Sequence, residues 1–120
     1  MRILPLCVLL LAGGCATAPK AQVQCPAFAD VAPPAIGSDY LEGLSQRLAG
    51  PDRANTVATA VADMRTRAPT LTADQMTDIL IAADCPNAIA RPNHDLAADR
   101  ARIAAFRAQV MTLMTPQQSN

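Results

Sequence analysis

Apolar side chains recur at helical spacing in four separate stretches between residues 39 and 114. In the first, Leu41, Leu44 and Leu48 fall at i, i+3 and i+7 and predict a helix over Asp39–Ala49. Ser38 is suited to cap it, Asp39 and Glu42 carry negative charge where the helix dipole favours it, and Gly50 is expected to stop it in the left-handed conformation. The second predicted helix runs from Pro51 or Asp52 to Ala68, with Pro51 in its first turn and Pro69 ending it. Val57, Ala60, Val61, Met64 and Ala68 make its apolar face, while Asn55, Thr56 and Thr59 weaken its start.

The third stretch has the most explicit start signal. Thr72-Ala73-Asp74-Gln75 fits a capping box, in which Thr72 accepts from the third amide and Gln75 reaches back to the Thr72 amide. Leu71 and Met76 occupy the staple positions around it. Met76, Ile79, Leu80 and Ala83 form the face to be buried, and Pro86 predicts an end just after Cys85. The fourth helix is expected over His94–Met114 with Asn93 as its cap. Leu96, Ile103, Phe106, Val110 and Leu113 follow a 7-3-4-3 spacing, as along the seam between packed helices, and Asp95, Asp99, Arg100, Arg102 and Arg107 form the opposite polar face. No repeat and no strand-like alternation interrupts this pattern. The fold class that follows is all-α: a small bundle of three to four short helices over residues 38–115, with a frayed tail over 116–120.

Ahead of the helical region stands a different pattern. Arg2 precedes the apolar run Ile3–Leu11, broken only by Pro5 and followed by small residues and Cys15. The run is too short to span a bilayer, which takes about 20 apolar residues, and suits the apolar core of a secretory signal. Its ending, Leu11-Ala12-Gly13-Gly14-Cys15, resembles the lipobox of bacterial lipoproteins, lengthened here by one glycine. The resemblance covers the first fifteen residues. It implies a signal peptide over 1–14 and a mature chain that starts at Cys15, carrying a diacylglycerol thioether (with palmitate-type acyl chains) and an acylated amine. Several such chains anchor a protein stably, at about 0.8 kcal/mol per buried methylene. Because Ala16 rather than Asp follows the cysteine, the resemblance implies the outer membrane, facing the periplasm. Two other readings compete. Ala16-Thr17-Ala18 fits an ordinary A-x-A cleavage site, although Pro19 then suits the cut poorly, and the run can be an uncleaved anchor, against which its length argues.

Residues 15–37 are rich in Ala and Pro and read as a lipidated N-terminus and extended linker. Ala16–Gln24 reaches roughly 28 Å at about 3.1 Å per residue, enough to clear lipid head groups. Phe28 and Ile36 are expected against the domain surface.

The chain encodes four cysteines. If Cys7 leaves with the signal and Cys15 takes lipid, Cys25 and Cys85 remain, and an even remainder in an oxidising compartment reads as a disulfide. Two thiols binding a metal is the alternative, and it lacks further ligands. A bridge matters in this chain because alanine dominates and the aromatics are only Phe28, Tyr40 and Phe106, so the core is thin. The mature chain carries nine basic and ten acidic side chains with no basic cluster, which argues against nucleic acid as a partner.

Candidate chemistry is sparse. His94 is the lone histidine, and as a solvated first-turn residue it does not face its neighbour Asp95. Asp74 with Asp78, and Asp95 with Asp99, stand at i, i+4 and suit a cation, but Asp74 and Asp95 also serve as first-turn dipole partners and Asp99 can pair with Arg102. Ser38 and Ser45 lie in no nucleophile elbow, and no phosphate loop, dinucleotide fingerprint or haem motif is present. Met64, Met76, Met111 and Met114 fit core positions. No catalytic residue, metal ligand, cofactor or small-molecule substrate is expected.

Over Leu71–Met114, the apolar helix ending in Cys85-Pro86 and the long helix with Phe106 resemble small, functionally uncharacterised envelope proteins of alphaproteobacteria, a likeness that implies no activity. The expectation is a non-enzymatic, membrane-tethered envelope lipoprotein that binds another envelope protein. The alternative is a periplasmic chaperone-like binder of exposed apolar segments, by analogy of size and class.

Overall fold

The computed structural model describes residues 23–92 and 94–115. The expected signal peptide 1–14, the expected lipidation site Cys15, the start of the expected linker, the expected cap Asn93 and the tail 116–120 lie outside the described residues. The described chain is all-helical: α1 Phe28–Val31, α2 Ser38–Leu48, α3 Arg53–Arg67, α4 Ala73–Ile89 and α5 Leu96–Met114. The sulfurs of Cys25 and Cys85 lie at bonding distance, with their Cα atoms 5.6 Å apart.

Helix α4 is the hub, packed against each of the other four helices. It buries residues around its whole circumference, from Met76, Ile79 and Leu80 to Ala82, Ala83 and Ala88. A helix buried on all sides needs apolar residues beyond a single stripe, and Ile79–Ala83 supplies them. Around it the expected faces are in place: Leu41, Leu44 and Leu48 on α2, Val57, Ala60, Val61 and Met64 on α3, and Phe106 and Val110 on α5, all buried. Met64, Met76 and Met114 are core residues and Met111 packs on the core's edge.

The capping box at α4 is formed as expected. The Gln75 amide donates to Thr72 Oγ1 at 3.2 Å and the Thr72 amide donates to Gln75 Oε1 at 2.9 Å. Leu71 packs against the core beside buried Met76.

Several boundaries differ from the sequence expectation. Ser38 does not cap α2 but is its first residue, and the cap is Gly37 at φ 71°. The turn Pro33–Gly37, closed by Ile36 N–H donating to Pro33 O at 2.9 Å, sends Ile36 into the core, and leaving that turn requires a left-handed residue. Gly50 is not left-handed: Ala49 continues right-handed and the Gly50 amide closes a tight turn on Arg47 O at 3.1 Å. Pro51 stands before α3, which is capped at Asp52, rather than in its first turn.

Pro86 does not end α4. The helix continues to Ile89. An internal proline removes one backbone bond and crowds the preceding turn, at a cost of roughly 3 kcal/mol. Tertiary contacts on both sides offset that cost here. Cys85 is tied to Cys25, Asn87 Nδ2 donates to Ser45 O at 2.8 Å, and Ala88 is buried.

Helix α5 starts at Leu96, not His94, and its cap is Asp95, whose Oδ1 accepts from the Ala98 amide at 2.8 Å. Leu113 is not on the buried seam. It is 50% exposed, and Met114 takes the inward position. Phe106, Val110 and Met114 are four apart, as a straight helix of 3.6 residues per turn allows over a short contact. Inside the segment read as linker, Phe28–Val31 forms one helical turn on α4, with Phe28 against the core.

Candidate functional site

Two buried carboxylates organise the side of the molecule where α3, the end of α4 and α5 meet. Asp84 sits on α4 within an apolar run, and Arg53, the first residue of α3, reaches it. Arg53 Nη1 donates to Asp84 Oδ1 and Nη2 to Asp84 Oδ2, both at 2.6 Å, and Nη1 also approaches Leu48 O at 3.3 Å. The guanidinium carbon of Arg53 lies 4.2 Å from the centroid of the Phe106 ring. Arg53 is therefore clamped by a carboxylate edge-on and an aromatic face-on, the two geometries that a planar guanidinium suits best.

The second carboxylate is Asp99 on α5, whose side chain is 0% exposed. His94 Nδ1 is 3.0 Å from Asp99 Oδ2, and Arg102 Nη1 donates to Asp99 Oδ1 at 3.2 Å. The expected Asp99–Arg102 pair is thus present, but Asp99 does not lie on a solvated face and His94 is not a solvated first-turn residue. His94 precedes the helix and folds back onto Asp99. Among the described residues, every buried side-chain nitrogen and oxygen has a hydrogen-bond partner.

Arg53, Asp84, Arg102 and Phe106 line one open cleft of about 220 Å³, together with Arg91 and Gln109. A second cleft of about 400 Å³ shares Arg53 and Arg91 and is walled by Ala49, Gly50, Asn87, Ala90 and Pro92. Arg91 is exposed in the turn after α4, and among the described residues it makes no ion pair. Arg102 spends one nitrogen on Asp99 and, among the described residues, makes no other side-chain hydrogen bond or ion pair. The arrangement can bind anions through unspent guanidinium donors.

A separate cluster surrounds Tyr40 on α2. Its hydroxyl donates to Asp63 Oδ2 at 3.3 Å, and the guanidinium carbons of Arg67 and Arg47 lie 4.8 Å and 5.8 Å from its ring centroid. Burial pushes the Tyr40 hydroxyl above its ordinary pKa of 10.0, and the Asp63 charge and hydrogen bond push the same way against the two arginines.

The other residues singled out in the sequence fall apart in space. Asp78 accepts from exposed Arg107 at 2.8 Å, and Asp74 lies in the first turn of α4. Ser45 contributes its carbonyl to Asn87. Cys85 is joined to Cys25. Sequence reasoning missed Arg53, Asp84 and Arg91 altogether. Asp84 carried a signal: a lone acid inside the apolar run Ile79–Cys85 is a buried charge in need of a cation. Asp99 carried one too, since it fills the position skipped in the seven-residue gap from Leu96 to Ile103. Comparison with protein-family models, curated proteins and solved structures yields no match for this chain.

Proposed function

We propose that the chain is an envelope lipoprotein, tethered through lipid on Cys15 to the outer membrane on its periplasmic side, whose helical domain is a non-enzymatic protein-interaction module. The observation that carries this reading is the Cys25–Cys85 pair. A cross-link of this kind persists in an oxidising compartment, which is where the signal-like N-terminus would deliver the chain. The pair also fastens the chain to the domain ten residues after Cys15, which on this reading limits the tether to the residues between them. Among the described residues Leu113 is the only exposed large hydrophobic side chain, which favours a partner recognised through polar contacts over a chaperone that displays apolar surface.

The test is Cys15→Ser in the native host, read by intact mass and membrane fractionation and paired with in-cell crosslinking from the domain surface. Loss of the lipid mass and of membrane association, with a discrete envelope protein captured by the wild-type chain, is the expected result. Normal mature mass and membrane association in the variant would overturn the tether, and absence of any captured protein would overturn the interaction module.

A further inference from the structure

We propose that the paired clefts around Arg91 form a docking groove for an acidic stretch of polypeptide, held by its carboxylates on the free guanidinium edges of Arg91 and Arg102. The proposal rests on the interaction-module reading and names the chemistry of the partner segment.

Charge is the first argument. The smaller cleft is lined by three guanidinium groups: Arg53 is matched by Asp84 and Arg102 by Asp99 behind it, which leaves Arg91 without a carboxylate partner among the described residues. The adjoining cleft shares Arg53 and Arg91 and has no acid in its wall. A local cationic excess therefore sits in a chain whose overall formal charge is zero, so it is a built feature of this place and not a by-product of a basic protein.

Donor availability is the second. Arg53 is committed to the protein: both terminal nitrogens are bonded to Asp84, Nη1 also to Leu48 O, and the group lies over the Phe106 ring. Its role is to position the cleft. Arg102 is held by buried Asp99 through one nitrogen, which orients the guanidinium and leaves its other edge for a ligand. Arg91, exposed and without an ion-pair partner among the described residues, offers a complete fork. Such forks take carboxylates through two parallel hydrogen bonds.

Shape is the third. Two clefts that share Arg53 and Arg91 make an elongated site instead of a single small-ligand pocket, with small residues along part of the walls: Ala88 and Ala105 in one cleft, Ala49, Gly50 and Ala90 in the other. Gln109 stands in the first cleft and Asn87 in the second, and among the described residues Asn87 engages only its amide nitrogen, on Ser45 O. Side-chain amides in both clefts suit the alternating donors and acceptors of an extended peptide backbone. Anionic lipid is the less suitable occupant, because adsorption to a charged leaflet depends on a broad basic cluster and the near-neutral chain offers a recess.

The test is binding of fluorescein-labelled hexaglutamate to the full chain in zwitterionic detergent micelles, followed by fluorescence anisotropy. Saturable binding is expected, weakened at least tenfold by Arg91→Glu and equally by Ala105→Phe, which fills the cleft without changing its charge. Arg91→Lys should fall between them and the wild type, since an ammonium keeps the charge and loses the fork. Both positions are exposed, so the variants should keep wild-type helix content by circular dichroism. The proposal is overturned if hexaglutamate does not bind, or if it binds the Arg91→Glu chain as well as the wild type. It is equally overturned if phosphatidylglycerol vesicles bind in an Arg91-dependent way and hexaglutamate does not, which would make the site a lipid site. Captured partners without hexaglutamate binding would sink the groove alone, whereas hexaglutamate binding without a captured partner would sink only the envelope interaction reading.

Discussion

Arg53 and Asp84, 31 residues apart, are joined by two parallel hydrogen bonds of 2.6 Å that tie the start of α3 to the C-terminal half of α4. The carboxylate is almost wholly enclosed and the guanidinium lies on Phe106. The pair therefore links three helices through one charge contact. Removing Arg53 would leave Asp84 desolvated and unmatched, whereas removing Asp84 leaves a partly exposed guanidinium without its partner.

Asp84→Ala should accordingly destabilise the protein by about 1–3 kcal/mol, since the Arg53 left behind is 28% exposed and keeps part of its hydration. Replacing both members, as Arg53→Met with Asp84→Leu, should recover most of that loss, because no orphan charge remains. Urea unfolding of the two variants measures both. A loss below about 1 kcal/mol for Asp84→Ala would place the pair among solvent-screened contacts.

Thr72→Ala removes one half of the capping box and should cost about 1 kcal/mol. Thermal unfolding followed by circular dichroism reads it. No change would mean that the first turn of α4 is held by its burial alone.

The protein should titrate no free thiols at Cys25 and Cys85 when denatured without reductant. The bridge spans 60 residues of sequence, for which the chain-entropy argument gives about 4 kcal/mol of stabilisation. Reduction should lower the thermal midpoint clearly while helix content at low temperature falls only modestly. α1 carries no fully buried residue and should detach first, so limited proteolysis of the reduced protein should cut within residues 27–35. Cleavage elsewhere, or an unchanged midpoint, would contradict this.

Tyr40 gives the protein an alkaline limit. Its folded pKa is raised, so its contribution to stability is complete below the unfolded value of 10.0 and is lost as the pH rises through the higher folded value. Because Tyr40 is the chain's only tyrosine, phenolate absorbance titrates it directly. The midpoint should lie above 10.0 in the folded protein and return towards it in denaturant, and Tyr40→Phe should flatten the stability curve above that pH. A folded midpoint at or below the denatured one would reverse the sign of the linkage.

The helices and most of their buried faces were legible in the sequence because they depend on local spacing: the leucines of α2, the Val57–Met64 face of α3 and the capping box of α4 each sit within a few residues of one another. The cysteine pair was legible by counting. The misjudged boundaries share a cause. Pro86 and Ser38 were read by local propensity, and in both places long-range contacts decide: the neighbours of Asn87 and Ala88 hold the last turn of α4, and the burial of Ile36 forces Gly37 into the capping position. The candidate cleft was illegible for the same reason. Arg53, Asp84, Arg91 and Arg102 come from three helices and a turn, and no spacing along the chain foretells which arginine meets which acid.

The covalent link from Cys25 to Cys85 also sets how tension would run through the molecule. A pull arriving along the N-terminal segment passes at residue 25 directly into α4, the helix on which all the others rest. If the opposing load is taken by a partner seated against Arg91 and Arg102, the strained path runs from Cys25 through Cys85 and the end of α4 into α5. The sixty-residue loop containing α1, α2, α3 and most of α4 then hangs outside that path, mechanically shielded. If the chain is anchored ahead of Cys25 as proposed, the bridge is a strain-relief coupling that keeps the buried faces of α2 and α3 off the line of force.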